Sequence, residues 1–310
     1  MLDATGKRDR RELTSHVALR RVEGVVNPRS GGVGPGAFSA CEQLFADYDL
    51  QVHLVEAGPT DLDAALSAAV AARPDLLVIL AGDGTAGRAA TLAGPEGPLI
   101  APLPGGTMNM LPRALYGASD WRVALRRALE HGRPVPVAGG EVDGHAFYVA
   151  AILGAPALWG PAREAVRAGK LRRAWIYARQ ALRRAFGGQL RYRLDGGEPR
   201  RAEALALLTP LISKAMTDQT ALEAAVMTHH NAAEVFSLAA RALIADWRTD
   251  PAIETARLQT AEVWARGHVP AILDGESMRL GHEIEIRFNP IAFRALAPDL
   301  TSSPDAGVAP

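Results

Sequence analysis

Along the first half of the chain, short apolar runs alternate with longer stretches in which apolar residues recur at helical spacing. Residues 22–27, 51–56, 76–81 and 99–103 read as strands. Residues 37–46, 62–72, 86–93 and 121–130 read as helices, and 109–114 opens another. A continuous apolar run such as 76–81 fits a strand covered on both faces. Strand–helix alternation predicts an α/β fold: a doubly wound parallel sheet with helices on both faces. Ligands then bind beyond the carboxyl ends of the strands. Three glycine-rich turns, after Val26, Ala81 and Leu103, fall at that edge.

The pattern changes near Gly139. Asp-Gly occurs at Asp143-Gly144, Asp195-Gly196 and Asp274-Gly275. Each pair lies between strand-like stretches: Val142 and 147–152, 190–194 and 204–209, 270–273 and 284–288. Asp-Gly between strands is a strong hairpin signal, because both turn residues must take positive φ. A β-rich, sandwich-like second domain is therefore expected over 139–289. It follows a flexible segment at 1–20 and an α/β domain at 21–138, and a loose polar tail follows at 301–310.

Composition narrows the classes. The 310 residues carry no formal net charge, so no global field draws the chain to nucleic acid or membrane. One cysteine, Cys41, excludes an internal disulfide framework and a cysteine-based zinc site. It falls on the apolar side of a helical pattern with Phe38, Leu44 and Phe45, which suits core packing. The N-terminus has no apolar signal region, and no apolar run approaches the ~20 residues that span a bilayer. A cytoplasmic protein is expected.

The turns carry the chemistry. In Gly82-Asp83-Gly84-Thr85 a carboxylate stands among glycines that admit phosphate to the backbone. It would repel bare phosphate, so it calls for a bridging metal ion or a proton to remove. Asn27-Pro28-Arg29-Ser30-Gly31-Gly32 offers an amide, a hydroxyl and backbone N–H groups. Pro104-Gly105-Gly106-Thr107-Met108-Asn109 repeats the theme before a helix, whose N-terminus favours anions. No Walker sequence exists, and the three lysines (Lys7, Lys170, Lys214) precede no Ser or Thr, which excludes a P-loop. Residues 82–87 match GxGxxG, but no acid stands ~20 positions on to hold a ribose. Phosphoryl transfer fits better than dinucleotide binding.

Taken in order, Asn27-Pro28-Arg29-Ser30-Gly31-Gly32, then Ala81-Gly82-Asp83-Gly84-Thr85, then the Gly-Thr-x-Asn of Gly106–Asn109, the chain resembles the diacylglycerol kinase catalytic family. That family includes bacterial lipid kinases and sphingosine kinases, and is distantly related to NAD kinases. Asp274-Gly275-Glu276 matches its late motif. The resemblance implies nucleotide binding by Asn27, Pro28, Ser30, Gly31, Gly82, Asp83, Gly84, Thr85, Gly105, Gly106, Thr107 and Asn109. It implies ATP as phosphoryl donor, Mg²⁺ held by Asp83 through phosphate or water, and acids of the late motif facing an interdomain cleft. Residues 290–300 are expected to return to the first domain, as in relatives. Asp274, supported by Glu276, is the preferred base for the acceptor hydroxyl, and Asp83 assists. The implied reaction is transfer of the γ-phosphoryl group of ATP to a hydroxyl of diacylglycerol or a related lipid. The third motif departs from the family at Met110, where Asp is common.

Residues 161–189 carry Arg163, Arg167, Lys170, Arg172, Arg173, Arg179, Arg183 and Arg184 against one acid, Glu164. Leu171, Trp175, Ala178, Leu182 and Phe186 form one stripe. Such a helix can lie in an anionic membrane interface, with Arg172, Trp175, Arg179, Arg183 and Phe186 as contacts. The plain alternative is a docked helix with a solvated cationic face. A lipid substrate at the inner face of a membrane is expected, and no nucleic acid. Oligomeric state stays open, a homodimer included. The adjacent pair His229-His230 has no third ligand at a recognised spacing. The competing functions are a kinase of a soluble alcohol (NAD or a sugar) and a catalytically inactive nucleotide-binding membrane adaptor.

Overall fold

The computed structural model describes residues 17–154, 190–213, 219–227 and 253–298. The basic segment 161–189, with Arg172, Trp175, Arg179, Arg183 and Phe186, lies outside the described residues, as do His229-His230 and the tail 301–310. The chain divides into two units: residues 1–137 with 291–310, and residues 138–290. Both divisions fall inside strands, β5 (Arg133–Val142) and β16 (Glu283–Ala297).

In the first unit, β1 (Arg21–Val26) pairs in parallel with both β2 (Gln51–Glu56) and β3 (Leu76–Ala81). β3 pairs in parallel with β4 (Leu99–Pro104), and the last part of β16 joins beyond it at Ala295↔Ile100. The apolar runs β3 and β4 are buried along their whole length, whereas edge strand β2 alternates in exposure. The strand order β2-β1-β3-β4 reverses direction between β1 and β3. At such a reversal the helices leave to opposite faces and open a crevice at the carboxyl ends. Register brings the ends of the strands together, with Val26↔Leu80 and Ala81↔Pro104.

The helices α1 (Ala37–Phe45), α2 (Leu62–Ala71), α3 (Asp83–Ala93), α4 (Met110–Tyr116) and α5 (Trp121–His131) follow in turn. α5 buries Trp121, Leu125 and Leu129, a stripe of residues four positions apart. Its N-cap Asp120 accepts the N–H groups of Arg122 (2.7 Å) and Val123 (3.3 Å). One boundary differs from the sequence reading in a way that matters. α3 begins at Asp83 rather than Ala86, so Gly82-Asp83-Gly84-Thr85 is the cap and first turn of a helix. Glycine lowers helix propensity, which made this stretch read as a loop.

The second unit is antiparallel. Its six-stranded sheet runs β12 (Ile253–Leu258), β11 (Leu222–Met227), β10 (Ala204–Leu208), β7 (Ala150–Gly154), β14 (Val269–Leu273), β15 (Glu276–Leu280). The start of β16 pairs with β13 (Thr260–Trp264), then come β8 (Leu190–Leu194) and β9 (Arg200–Ala202). The end of β5 turns into β6 (His145–Phe147). Leu153, Leu205 and Leu207 share one core with Tyr192, Val263, Ile284 and Ile286, which glues the two sheets together.

All six Asp-Gly turn residues have positive φ, from 45° at Asp195 and Asp274 to 92° at Gly275. Two of the expected strand partners differ. Asp274-Gly275 joins β14 to β15, not to 284–288, because the half-polar strand Glu-Ser-Met-Arg-Leu has four of its five residues at least partly exposed and reads poorly as a strand. Asp195-Gly196 leads to β9, while 204–208 belongs to the other sheet.

Removing the α5 cap by Asp120→Ala is expected to cost about 0.5–2 kcal/mol, read as a lower urea midpoint with unchanged slope. No shift in midpoint would contradict the capping role.

Candidate functional site

The first turn is built by its asparagine. The buried Asn27 donates its backbone N–H to Leu80 O at 2.9 Å, which ties the turn to β3. Its Oδ1 accepts the Arg29 N–H at 3.0 Å, and its carbonyl accepts the Ser30 N–H at 3.1 Å. The side chain thus mimics a peptide carbonyl and closes the bend around Pro28.

The third turn lies on the other two through backbone alone. Gly32 donates its N–H to Gly105 O at 3.0 Å. A Cβ on Gly105 would stand 2.7 Å from Ala81 O, and one on Gly106 3.0 Å from Gly82 Cα. A Cβ on Gly82 would lie 4.0 Å from Ser30 Oγ, and one on Gly31 3.5 Å from Thr107 Oγ1. The three sequence-predicted turns therefore meet at one place. Asn109 fixes the last of them. It takes φ 52°, a left-handed geometry that asparagine tolerates. Its Oδ1 accepts the Gly106 N–H at 2.6 Å and its Nδ2 donates to Gly106 O at 3.0 Å. Thr107 stays exposed, Gly84 is exposed and Thr85 half-buried.

Asp83 stands between two helix starts. It is in the first turn of α3, where the helix dipole favours a negative charge. Its Oδ1 also accepts the Leu111 N–H of α4 at 3.4 Å. Burial holds its carboxyl above the usual range, outweighing the N–H groups of Met110, Leu111 and Asn109 and the charge of Arg113, all of which lower it. Leu111 and Arg113 are parts of this site that the sequence reading did not name. Gly32 was named there as part of its turn, though not among the residues assigned to nucleotide. Met110, the departure from the family pattern, contributes its backbone N–H.

Among the described residues, no group of three or more His, Cys, Asp or Glu side chains could hold a metal ion alone. An Mg²⁺ ion arriving on phosphates would need only one or two protein carboxylates, and Asp83 is the carboxylate in the first turn of α3.

The late motif lies within the second unit and is built differently. Asp274 Oδ2 accepts the Tyr148 N–H at 2.7 Å, and Oδ1 accepts those of Val149 and Ala150, both at 2.9 Å. Three of its roughly four acceptor sites are thus used on backbone. Glu276, at the start of β15, is exposed. The two acids do not share one environment. An open depression lined by Arg193, Glu262, Glu285 and Arg287 lies elsewhere on this unit, and its Arg193–Glu262 pair at 3.0 Å marks it as a solvated sheet face.

Residues 22–141 match the family model for the diacylglycerol kinase catalytic domain. Among solved structures, the chain is similar to a diacylglycerol kinase from Bacillus anthracis strain Sterne. They share 18% identity and a TM-score of 0.71 over 92% of this chain and 99% of that one. A second structure from that organism, provisionally assigned as a diacylglycerol kinase, gives 18% identity and 0.70 over 91% and 99%. These likenesses are of fold: α/β with a parallel sheet, then a β-rich part. No curated protein matches.

Because the folded chain holds the Asp83 proton more tightly than the unfolded chain does, this group stabilises most below the ordinary carboxylate range. That contribution is lost as pH rises through the raised folded value. Asp83→Asn, neutral at every pH, is expected to melt above the wild type at pH 7. The gap should close as pH falls below about 4. A lower melting temperature than wild type at pH 7 would contradict this account.

Proposed function

We propose, from the diacylglycerol kinase catalytic domain at residues 22–141, that the chain is an ATP-dependent lipid kinase. It transfers the γ-phosphoryl group to a hydroxyl of diacylglycerol or a related lipid. The observation that carries this reading is the convergence of three glycine turns around Asp83 at the strand-order reversal. Bare backbone there offers N–H groups to phosphate oxygens. The N-terminus of α3 adds the unpaired N–H groups of its first turn, including Gly84 and Thr85. Mg²⁺, when bound, neutralises charge on the phosphates. Asp83 would hold that unit through its ionised carboxylate.

In phosphoryl transfer the transition state is largely dissociative, so positioning and charge supply most of the acceleration. A base is still needed for the acceptor hydroxyl. The sequence favours Asp274, but its carboxylate is committed to three backbone N–H groups. We assign the proton to Glu276, the exposed member of the motif, with Asp274 shaping the turn that presents it. Among the described residues no helix is long and apolar enough to cross a membrane. Access to lipid is assigned to the basic segment 161–189, with Arg172, Trp175, Arg179, Arg183 and Phe186 against an anionic surface, transiently at the inner face of the membrane.

The test is γ-labelled ATP with lipid in mixed micelles, run beside water-soluble alcohols including NAD and sugars. Label is expected in extractable lipid. Label confined to a soluble acceptor would mark a soluble-alcohol kinase, and bound ATP with no product would mark an inactive adaptor. Glu276→Gln is expected to lower kcat about 10²–10⁴-fold with ATP affinity retained. Full activity in that variant removes Glu276 from the reaction.

A further inference from the structure

We propose that Thr209 is a positioning residue for the Asp274-Gly275-Glu276 turn, an inference that rests on the phosphoryl-transfer reading above. Thr209 is wholly buried directly after β10, which neighbours β7 in the sheet. Its hydroxyl is shared between Tyr148 O at 2.9 Å and Val149 O at 3.2 Å, and its N–H donates to Val149 O at 3.0 Å. Tyr148 and Val149 form the bend that carries the chain from β6 in one sheet to β7 in the other. The N–H groups of this same bend, with that of Ala150, hold the Asp274 carboxylate, and Asp274 N–H returns to Ala150 O at 2.9 Å.

Thr209 therefore grips the carbonyl side of the bend while Asp274 grips its N–H side. The bend has one orientation in which both sets are satisfied. That orientation fixes the positive-φ pair Asp274-Gly275, and with it the direction in which the chain enters β15 at Glu276.

The network continues away from the turn. Thr209 O accepts the N–H groups of Ile212 (3.2 Å) and Ser213 (3.0 Å), which makes a single tight loop. The buried Ser213 donates its hydroxyl to the carboxylate of buried Glu223 on β11. A buried polar chain thus runs across one end of the six-stranded sheet, from Glu223 through Ser213, Thr209 and the 148–150 bend to Asp274. Polar groups in a buried site are costly when only partly satisfied, so such a chain favours one geometry. An apolar residue at 209 would fill the same space but lose the hydroxyl, leaving its own N–H on Val149 O to hold the carbonyl side of the bend.

The experiment is a double-mutant cycle on kinase activity. Thr209→Val keeps the branched shape and removes the hydroxyl. It is expected to lower kcat roughly 10- to 100-fold, as a displaced catalytic group does, while KM for ATP stays unchanged. Thr209→Ser should restore kcat. In a Glu276→Gln background, with the residual rate followed by prolonged labelling, Thr209→Val should add no further loss, because it acts through Glu276. Equal losses in both backgrounds, or an unchanged kcat in Thr209→Val alone, would overturn the proposal. Full activity in Glu276→Gln alone would overturn the base assignment beneath it, a separate result from a different variant. Should Thr209→Val not fold, Ser213→Ala loosens the same loop and must show the same kcat-only loss, absent in the Glu276→Gln background.

Discussion

Gly105 lies so close to the end of β3 that only a hydrogen fits where other residues carry Cβ. The first unit depends on that approach. It lets the third turn sit on Ala81 and Gly82, lets Gly32 reach Gly105 O, and so draws three separate connections into one surface of bare backbone. A parallel sheet supplies the setting, because its strands all end on the same side. The reversal of strand order between β1 and β3 supplies the opening. Glycine is here a steric requirement, and it leaves the backbone of the three turns bare of side chains.

Within this frame the carboxylates divide by environment. Asp83 is drawn toward protonation by burial and toward ionisation by helix-terminal N–H groups, and burial prevails. A half-buried carboxyl raised in this way costs stability where it is ionised, and such groups are common at functional sites. Asp274 is spent on shaping a turn, held by the bend that crosses between sheets. Glu276, two residues on, is exposed at the start of a strand. Three acids that look alike in the sequence thus sit in three different environments.

Much of this was legible beforehand, and the reasons differ by element. β2 and β3 carry clear alternation or a continuous apolar run, so their limits read directly. The Asp-Gly pairs announced positive φ, and each adopts it. The convergence of the turns followed from parallel topology alone. Other features were hidden for physical reasons. α3 starts inside a Gly-Asp-Gly-Thr stretch whose propensity argues against helix. β15 was obscured because most of its residues are half-polar and exposed. The partners of Asp274 lie more than a hundred residues away in sequence, and neither Tyr148 nor Val149 bears a signal of that contact. Thr209 likewise looks like an ordinary strand-end threonine until the bend it clasps is seen.

The central claim is that the three glycine turns form one nucleotide site. Hydrogen–deuterium exchange, read with and without ATP and Mg²⁺, tests it most directly. Amides in residues 30–32, 82–85 and 105–107 should gain protection together, at a common ATP concentration dependence. Protection confined to one of these turns, or to none while ATP binds elsewhere, would contradict the account.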